Sequence, residues 1–286
     1  MIEKSKSPHT YSPENLGDLL SLYKSMPDAL VYGGGTYILK NQKREFLSLP
    51  ENVIYLKRVE ELNRISRTER FLEIGSSISI NRVLSIGKHI LPAALYNCLL
   101  GVGTPGIRNL ATLGGNICVR DRRMDTFPLL HLLDARVELR KAGGSRWIQI
   151  NRLFDSEGKA SLQPGEILTR IRIPFDEWNV QVYHKLGSRA REGETTLSFC
   201  GLAKTQKGVI NDIRIAYGCL GKQILRNREI EAELSGLKVP INIKDTASAM
   251  ELLKENMDKI GIAISNFQKK RAVSFLRLFL LRLAEV

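Results

Sequence analysis

Leu16, Leu19, Leu20 and Tyr23 follow Ser12-Pro13-Glu14, and apolar positions three and four apart predict an amphipathic helix. Ser12 reads as its N-cap, Pro13 as a first-turn residue and Glu14 as an acid suited to the positive end of the helix dipole. The helix should stop near Met26-Pro27. The next run, "DALVY", is a short buried strand that leads straight into Gly33-Gly34-Gly35. After it, "NVIYL" predicts a strand, "VEELNRI" a short helix, and "RFLEIGSSISI" a strand closing on Gly75. From Ile80 to Leu100 the pattern is helical with a break at Leu91-Pro92. It feeds a second glycine-bearing loop, "TPGIRNLATLGGN", from Thr104 to Asn116.

Further on, "RMDTFPLLHLLDARVELR" reads as a short helix and then a strand, with "WIQI" and "EILTRIRIP" as further strands. Beyond Pro174 the pattern turns antiparallel: "VQVYHKL", "TTLSFCGLA" and "GVINDIRIAYGCLG", the last two joined by a hairpin turn at Lys207-Gly208. From Arg228 onward the chain reads as helices. The whole is α+β in three parts: a small N-terminal α/β unit over 1–56, a central α+β unit over 57–176, and a C-terminal antiparallel sheet with helices over 177–286. No repeat at solenoid period interrupts this order.

Composition narrows the picture little. The chain of 286 residues is 43% hydrophobic and 26% charged, that of a folded globular protein. An excess of 43 Lys and Arg over 30 Asp and Glu gives a net charge of +13, which suits an anionic cofactor, an acidic partner or nucleic acid. The basic residues are scattered, with local clusters at Arg120–Arg123 and Gln268–Arg271. No RNA-recognition, zinc-finger or basic-zipper pattern is present, which argues against nucleic acid. Cys98, Cys118, Cys200 and Cys219 form no C-x-x-C pair, so the spacing predicts no metal site; Cys98, Cys200 and Cys219 read as small buried residues. The polar start "MIEKSKSPHTYSPENL" lacks a signal-peptide core, and the longest apolar stretch, Ile90 to Val102, is too short to span a bilayer. These features predict a cytoplasmic protein that does not enter a membrane.

Candidate chemistry sits in the two glycine loops. A diphosphate needs converging amide donors and close backbone approach, which a Cβ obstructs. Gly33, Gly34, Gly35 and Thr36 would supply one half of such a cradle, and Thr112, Leu113, Gly114, Gly115 and Asn116 the other. Either loop alone reads first as a tight turn, and only the two together favour the cradle. The spacing matches neither the Rossmann nor the P-loop fingerprint.

"VYGGGTYIL" resembles the A-G-G-T-D-L loop, and "TPGIRNLATLGGNI" the I-R-N-x-A-T-x-G-G-N-I segment, of the FAD-binding medium subunit of molybdenum hydroxylases. That family includes the flavin subunits or domains of xanthine dehydrogenase and carbon monoxide dehydrogenase. The resemblance continues through "FLEIGSSISI", "FPLLHLLDARVELR", "GEILTRIRIP", "YHKLGSRA" and "IRIAYGCLG". It implies the vanillyl-alcohol-oxidase-type (PCMH-type) fold and FAD as cofactor. Gly33 to Thr36 and Thr112 to Asn116 would hold the FAD diphosphate. Asp125 matches an acidic residue near the adenosine ribose; taken alone it reads as the N-cap of the following helix. Leu168 matches a residue whose backbone lies against the flavin, and is otherwise a core leucine. Lys185 matches a lysine near the isoalloxazine end, and is otherwise a solvated strand residue.

By the same resemblance the partners would be a molybdopterin-binding large subunit and a [2Fe-2S] small subunit. Electrons would pass through this chain to NAD or another acceptor. Tyr37 departs from the family's acidic residue, "CVRDRRMD" from its small polar stretch, and "REGETTLSFCGLA" from its D-I-A-x-V-like run. A free-standing flavin oxidoreductase and a cofactor-free scaffold subunit stand as the alternatives.

Overall fold

The computed structural model describes residues 8–42, 48–119, 124–155, 157–187, 196–220, 222–259, 261 and 263–285. The chain begins with β1 (His9–Tyr11), α1 (Leu16–Ser25), β2 (Leu30–Tyr32), α2 (Thr36–Lys40) and β3 (Asn52–Tyr55). β3 lies between β1 and β2 and is parallel to both, pairing Val53 with Thr10 and with Leu30. Leu16 and Leu19 of α1 close over Ile54, Leu56 and Leu62 to form a small core of their own. The helix starts later than Ser12. Asn15 is its cap, its side-chain oxygen accepting from the Asp18 amide at 2.9 Å, so a first-turn donor is already met three residues beyond Ser12.

A five-stranded antiparallel sheet follows. Its members are β4 (Ile65–Arg67), β5 (Phe71–Gly75), β6 (Arg136–Lys141), β7 (Gly144–Gln149) and β8 (Ile167–Pro174), in the order β4-β5-β8-β6-β7. Between β5 and β6 run five short helices: α3 (Ile80–Leu84), α4 (Ala93–Leu100), α5 (Pro105–Leu110), α6 (Leu113–Ile117) and α7 (Thr126–Leu132). Leu72, Ile74, Val137, Leu139, Ile171 and Ile173 face these helices and make the largest core. The opposite face carries Glu73, Glu138, Arg170 and Arg172, with Arg172 lying over Trp147 at 4.0 Å.

The helix expected over "VEELNRI" is only a 3-10 turn, Glu60–Asn63, before the chain extends into β4. The Leu62 carbonyl is taken by the Ser77 amide at 3.0 Å, and the Asn63 side chain donates to the Lys57 and Val59 carbonyls. These three bonds end the helical ladder. The second glycine segment is likewise not a loop but two capped helical turns, α5 behind Thr104 and α6 behind Thr112.

The third sheet is the meander β9 (Val180–Leu186), β10 (Leu197–Gln206) and β11 (Val209–Gly218), with β10 central. Lys207 and Gly208 make the hairpin turn with positive φ, as its residues predicted. β10 is buried on both faces. Phe199 and Ala203 join the core under α8 (Arg228–Leu234), α9 (Ile243–Lys259) and α10 (Asn266–Arg282), while Cys200 and Leu202 join the core under α4 and α7. That second face brings β9 against α4 and β10 against α7.

One titration follows from this packing. His131 on α7 is partly buried, and burial, helped by Arg226, Arg228 and Arg214, pushes its pKa down to about 4. The unfolded chain takes up the proton first, so this contribution is fully present above about pH 6.5 and is lost as pH falls toward 4. We expect the wild type to lose about 2 kcal/mol over that window in urea unfolding, after discounting for residual solvent. In His131→Gln this part of the slope should vanish; an identical curve in the variant would remove the account.

Candidate functional site

The two glycine segments meet. A Cβ on Gly34 would lie 1.8 Å from the Leu110 carbonyl oxygen, and one on Gly33 would lie 3.2 Å from Thr112 Oγ1. The same hydroxyl accepts the Gly115 amide at 3.0 Å, so Thr112 sits at the seam of both segments. What approaches these glycines most closely is the chain itself. Gly34 admits the end of α5, and Gly114 admits Ser76, whose Cβ and carbonyl oxygen would each stand 2.6 Å from an added methyl.

The two halves differ in what they have left to offer. In the second, the amides of Leu113, Gly114 and Asn116 donate to Ile78 O, Ser76 O and Thr112 O, and Gly115 donates to the Thr112 hydroxyl. Those amides are engaged. Asn116 Oδ1 accepts from the Thr126 hydroxyl at 2.5 Å. In the first half, the amides of Gly34, Gly35 and Thr36 meet no backbone acceptor among the described residues. Gly35 has φ +70°, open to glycine with little strain, and caps α2 with no side-chain bond. Gly35 is buried and Gly34 and Thr36 are half-buried, and a turn whose successive amides have no backbone acceptor suits an oxyanion. The Tyr32 hydroxyl folds over this turn, 1.8 Å from where a Gly35 Cβ would be.

Asp125 does not cap α7. Its side chain makes no cap bond, being buried and turned toward the third sheet instead. Its Oδ2 accepts from Lys185 Nζ at 2.7 Å and its Oδ1 from Cys219 Sγ at 3.0 Å. Lys185 is not a solvated strand residue; its side chain is 17% exposed and also donates to the Gly101 carbonyl at 3.0 Å. It lines a cavity of about 330 Å³ together with Asn97, Leu100, Gly101, Tyr183, His184 and Gly187. Burial pushes the Tyr183 phenol upward and keeps it protonated.

Leu168 is a core residue, 5% exposed, paired with Leu139 beside a register slip in β6. Its neighbour Thr169 gives its carbonyl to the Ser76 amide at 2.9 Å, and Ser76 in turn takes the Gly114 amide. The strand thus seats the second glycine segment. Arg120 to Arg123, the cluster noted above, lie outside the described residues. Sequence reasoning passed over Tyr32, Ser76 and Cys219. Tyr32 stands immediately before the glycine run and Cys219 immediately after Gly218 at a strand end, positions where a side chain is aimed by a turn.

Two glycine turns that meet, and a cavity walled in part by the half-buried Lys185 ammonium, are the candidate features of this α+β protein. The comparisons carry this to a family. Residues 4–176 match the model described as "FAD binding domain in molybdopterin dehydrogenase", and the chain belongs to that family. It is 28% identical over 283 residues to the nicotinate dehydrogenase FAD-subunit of Eubacterium barkeri, covering 94% of each chain. It is 29% identical over 239 residues to the glyceraldehyde dehydrogenase medium chain of Sulfolobus acidocaldarius, covering 82% of this chain and 84% of that one. Among solved structures, a chain of carbon monoxide dehydrogenase from Hydrogenophaga pseudoflava superposes with TM-score 0.81 at 21% identity, covering 97% of this chain and 96% of that one. A chain of quinoline 2-oxidoreductase from Pseudomonas putida 86 does so with TM-score 0.80 at 20% identity, covering 99% and 97%. The fold is the PCMH-type FAD-binding fold expected from the motifs. The chain is the FAD-binding, oxidoreductase subunit of a molybdenum-hydroxylase-family enzyme.

Proposed function

We propose that this chain holds FAD between its first two units and relays electrons from an iron–sulfur subunit to NAD or another acceptor, substrate oxidation falling to a molybdopterin-binding subunit. The observation that carries the reading is the meeting of the two glycine segments, with the amides of Gly34, Gly35 and Thr36 left without backbone acceptors. When bound, FAD supplies the redox chemistry, and the protein supplies binding, orientation and electrostatics. Gly33 to Thr36 hold the diphosphate, with Thr112, Gly115 and Asn116 closing the other side. Leu113 and Gly114 contribute by their fit against Ile78 and Ser76; the amides of 113–116 are all engaged within the chain, so this side closes by shape and side chains.

Toward the other end, Lys185 sets a positive charge at the cavity wall and Asp125 fixes its direction. A flavin ring placed there gains negative charge on reduction, which a fixed ammonium stabilises. Leu168, whose neighbour Thr169 bonds Ser76 beneath the second glycine segment, has its backbone against the flavin in the same reading. The division of the chain at 56 and 176, with the ring turned toward the third unit, is part of the same reading. Exposed Ile107 and Leu110 on α5 leave apolar surface beside the cradle, which suits docking of an electron-donating subunit. Among the described residues no helix is long and apolar enough to cross a membrane, and we place the complex in the cytoplasm.

The test is direct. The purified chain should show visible flavin absorption, or regain it on titration with FAD at one per chain. NADH should reduce the bound flavin if NAD is the acceptor. Expressed with its neighbours, the chain should copurify with an iron–sulfur and a molybdopterin subunit. A colourless chain that takes up no FAD defeats the reading, and turnover by the isolated chain on a small substrate would favour a free-standing oxidoreductase.

A further inference from the structure

Cys219 directly follows β11 with φ +64°, a left-handed conformation that glycine adopts freely and a side chain does not. Glycine would be the undemanding residue here. The thiol that occupies the position instead donates to Asp125 Oδ1 at 3.0 Å. Ser198 Oγ lies 3.8 Å from the same sulfur; because the single S–H is directed at the carboxylate, the serine hydroxyl is the donor of that pair. Asp125 Oδ2 accepts from Lys185, and Lys185 donates onward to the Gly101 carbonyl. Ser198 and Lys185 are directly opposed across β9 and β10. A polar chain therefore runs Ser198, Cys219, Asp125, Lys185, Gly101, from the buried face of the third sheet to the cavity wall.

We propose that Cys219 is a positioning residue: acting through Asp125, it fixes the Lys185 ammonium at the cavity. With both carboxylate oxygens engaged, Asp125 cannot rotate, so Lys185 has one partner geometry instead of several. Groups tied in such a network act as a unit and their effects do not add. What the held ammonium does for the flavin rests on the function proposed above; the positioning itself does not.

The experiment has two arms built on one double-mutant cycle, with Cys219→Gly, Asp125→Asn and both together, plus Cys219→Ser to restore a donor. In the first arm, the apo chain is exposed to acetic anhydride and acetylation of Lys185 is followed by mass spectrometry. Cys219→Gly should speed labelling about fivefold, in line with loss of a charge-assisted hydrogen bond. Cys219→Ser should return most of the protection, and Cys219→Gly should add nothing once residue 125 is Asn. In the second arm, the potential of bound FAD should shift in Cys219→Gly and not shift further in the double variant.

Labelling that is unchanged in Cys219→Gly, or that rises equally with Asp or Asn at 125, overturns the inference. Should the glycine variant not fold, Cys219→Ala in the same cycle reads the same coupling. A wild type that binds no FAD yet shows the labelling cycle intact would leave the positioning in place and remove the flavin reading instead.

Discussion

Gly34→Ala is expected to part the two glycine segments and abolish FAD binding. The added methyl would stand 1.8 Å from the Leu110 carbonyl oxygen and 3.1 Å from Ala111 Cα, and both are backbone atoms that no rotamer change can move aside. α5 must therefore shift, and Thr112 with it, since only Ala111 separates them. Inserting a methylene into a well-packed site costs about 1–3 kcal/mol, more where the backbone has to give. We expect a loss near the top of that range by urea unfolding and at least a hundredfold weaker FAD binding. Gly106→Ala, within α5, is the control. Its Cβ would meet only Thr104 Oγ1, at 3.9 Å, and alanine favours helix by about 1 kcal/mol. If Gly34→Ala binds FAD as well as Gly106→Ala does, the two segments do not grip the cofactor jointly.

The same comparison shows what the sequence could reveal. Strands ending on glycine, and threonine placed ahead of a glycine pair, are local signals, and both junctions were legible. The direction from which the glycines are approached is not local. Gly34 and Gly114 are small because Leu110 and Ser76 press on them, contacts between residues more than thirty apart that no spacing encodes. The resemblance to the flavoprotein motifs was legible for the opposite reason, because it compares whole segments without needing to know what touches what.

The cap assignments erred in a consistent way. Ser12 and Asp125 both precede helical runs, and a short polar side chain there suits an N-cap. At the first helix Asn15, three residues further on, holds the cap. At Asp125 a tertiary partner wins: the carboxylate gains a charged donor in Lys185, and charge-assisted bonds exceed neutral caps in strength. The buried cysteines divide along the same line. Burial pushes the thiols of Cys98 and Cys200 upward and leaves them inert, as small apolar residues are. Cys219 is buried too, but its turn aims the sulfur at a carboxylate, which only the fold brings near.

Lys185→Met is expected to have two separable consequences. The first is structural. Removing the ammonium leaves Asp125, whose side chain is 9% exposed, with Cys219 as its donor and no opposing charge from Lys185. Stripping one partner from a buried pair costs about 3–5 kcal/mol, and the residual solvent contact of Lys185 places the expected loss at the lower end. The second concerns the cofactor. If the ammonium stabilises the reduced flavin, its loss should lower the two-electron potential by about 30 mV or more, the equivalent of about 1.4 kcal/mol. Asp125→Asn with Lys185→Met separates the two, because the double variant removes the abandoned carboxylate and should regain stability while the potential stays low. Recovery of both together, or a potential that never moved, would make Lys185 a strut for Asp125 and Gly101 with no influence on the flavin. The geometry favours the first outcome: Lys185 bonds Gly101 O, yet Gly101 and Lys185 both line the cavity, so its charge is presented to whatever that cavity holds.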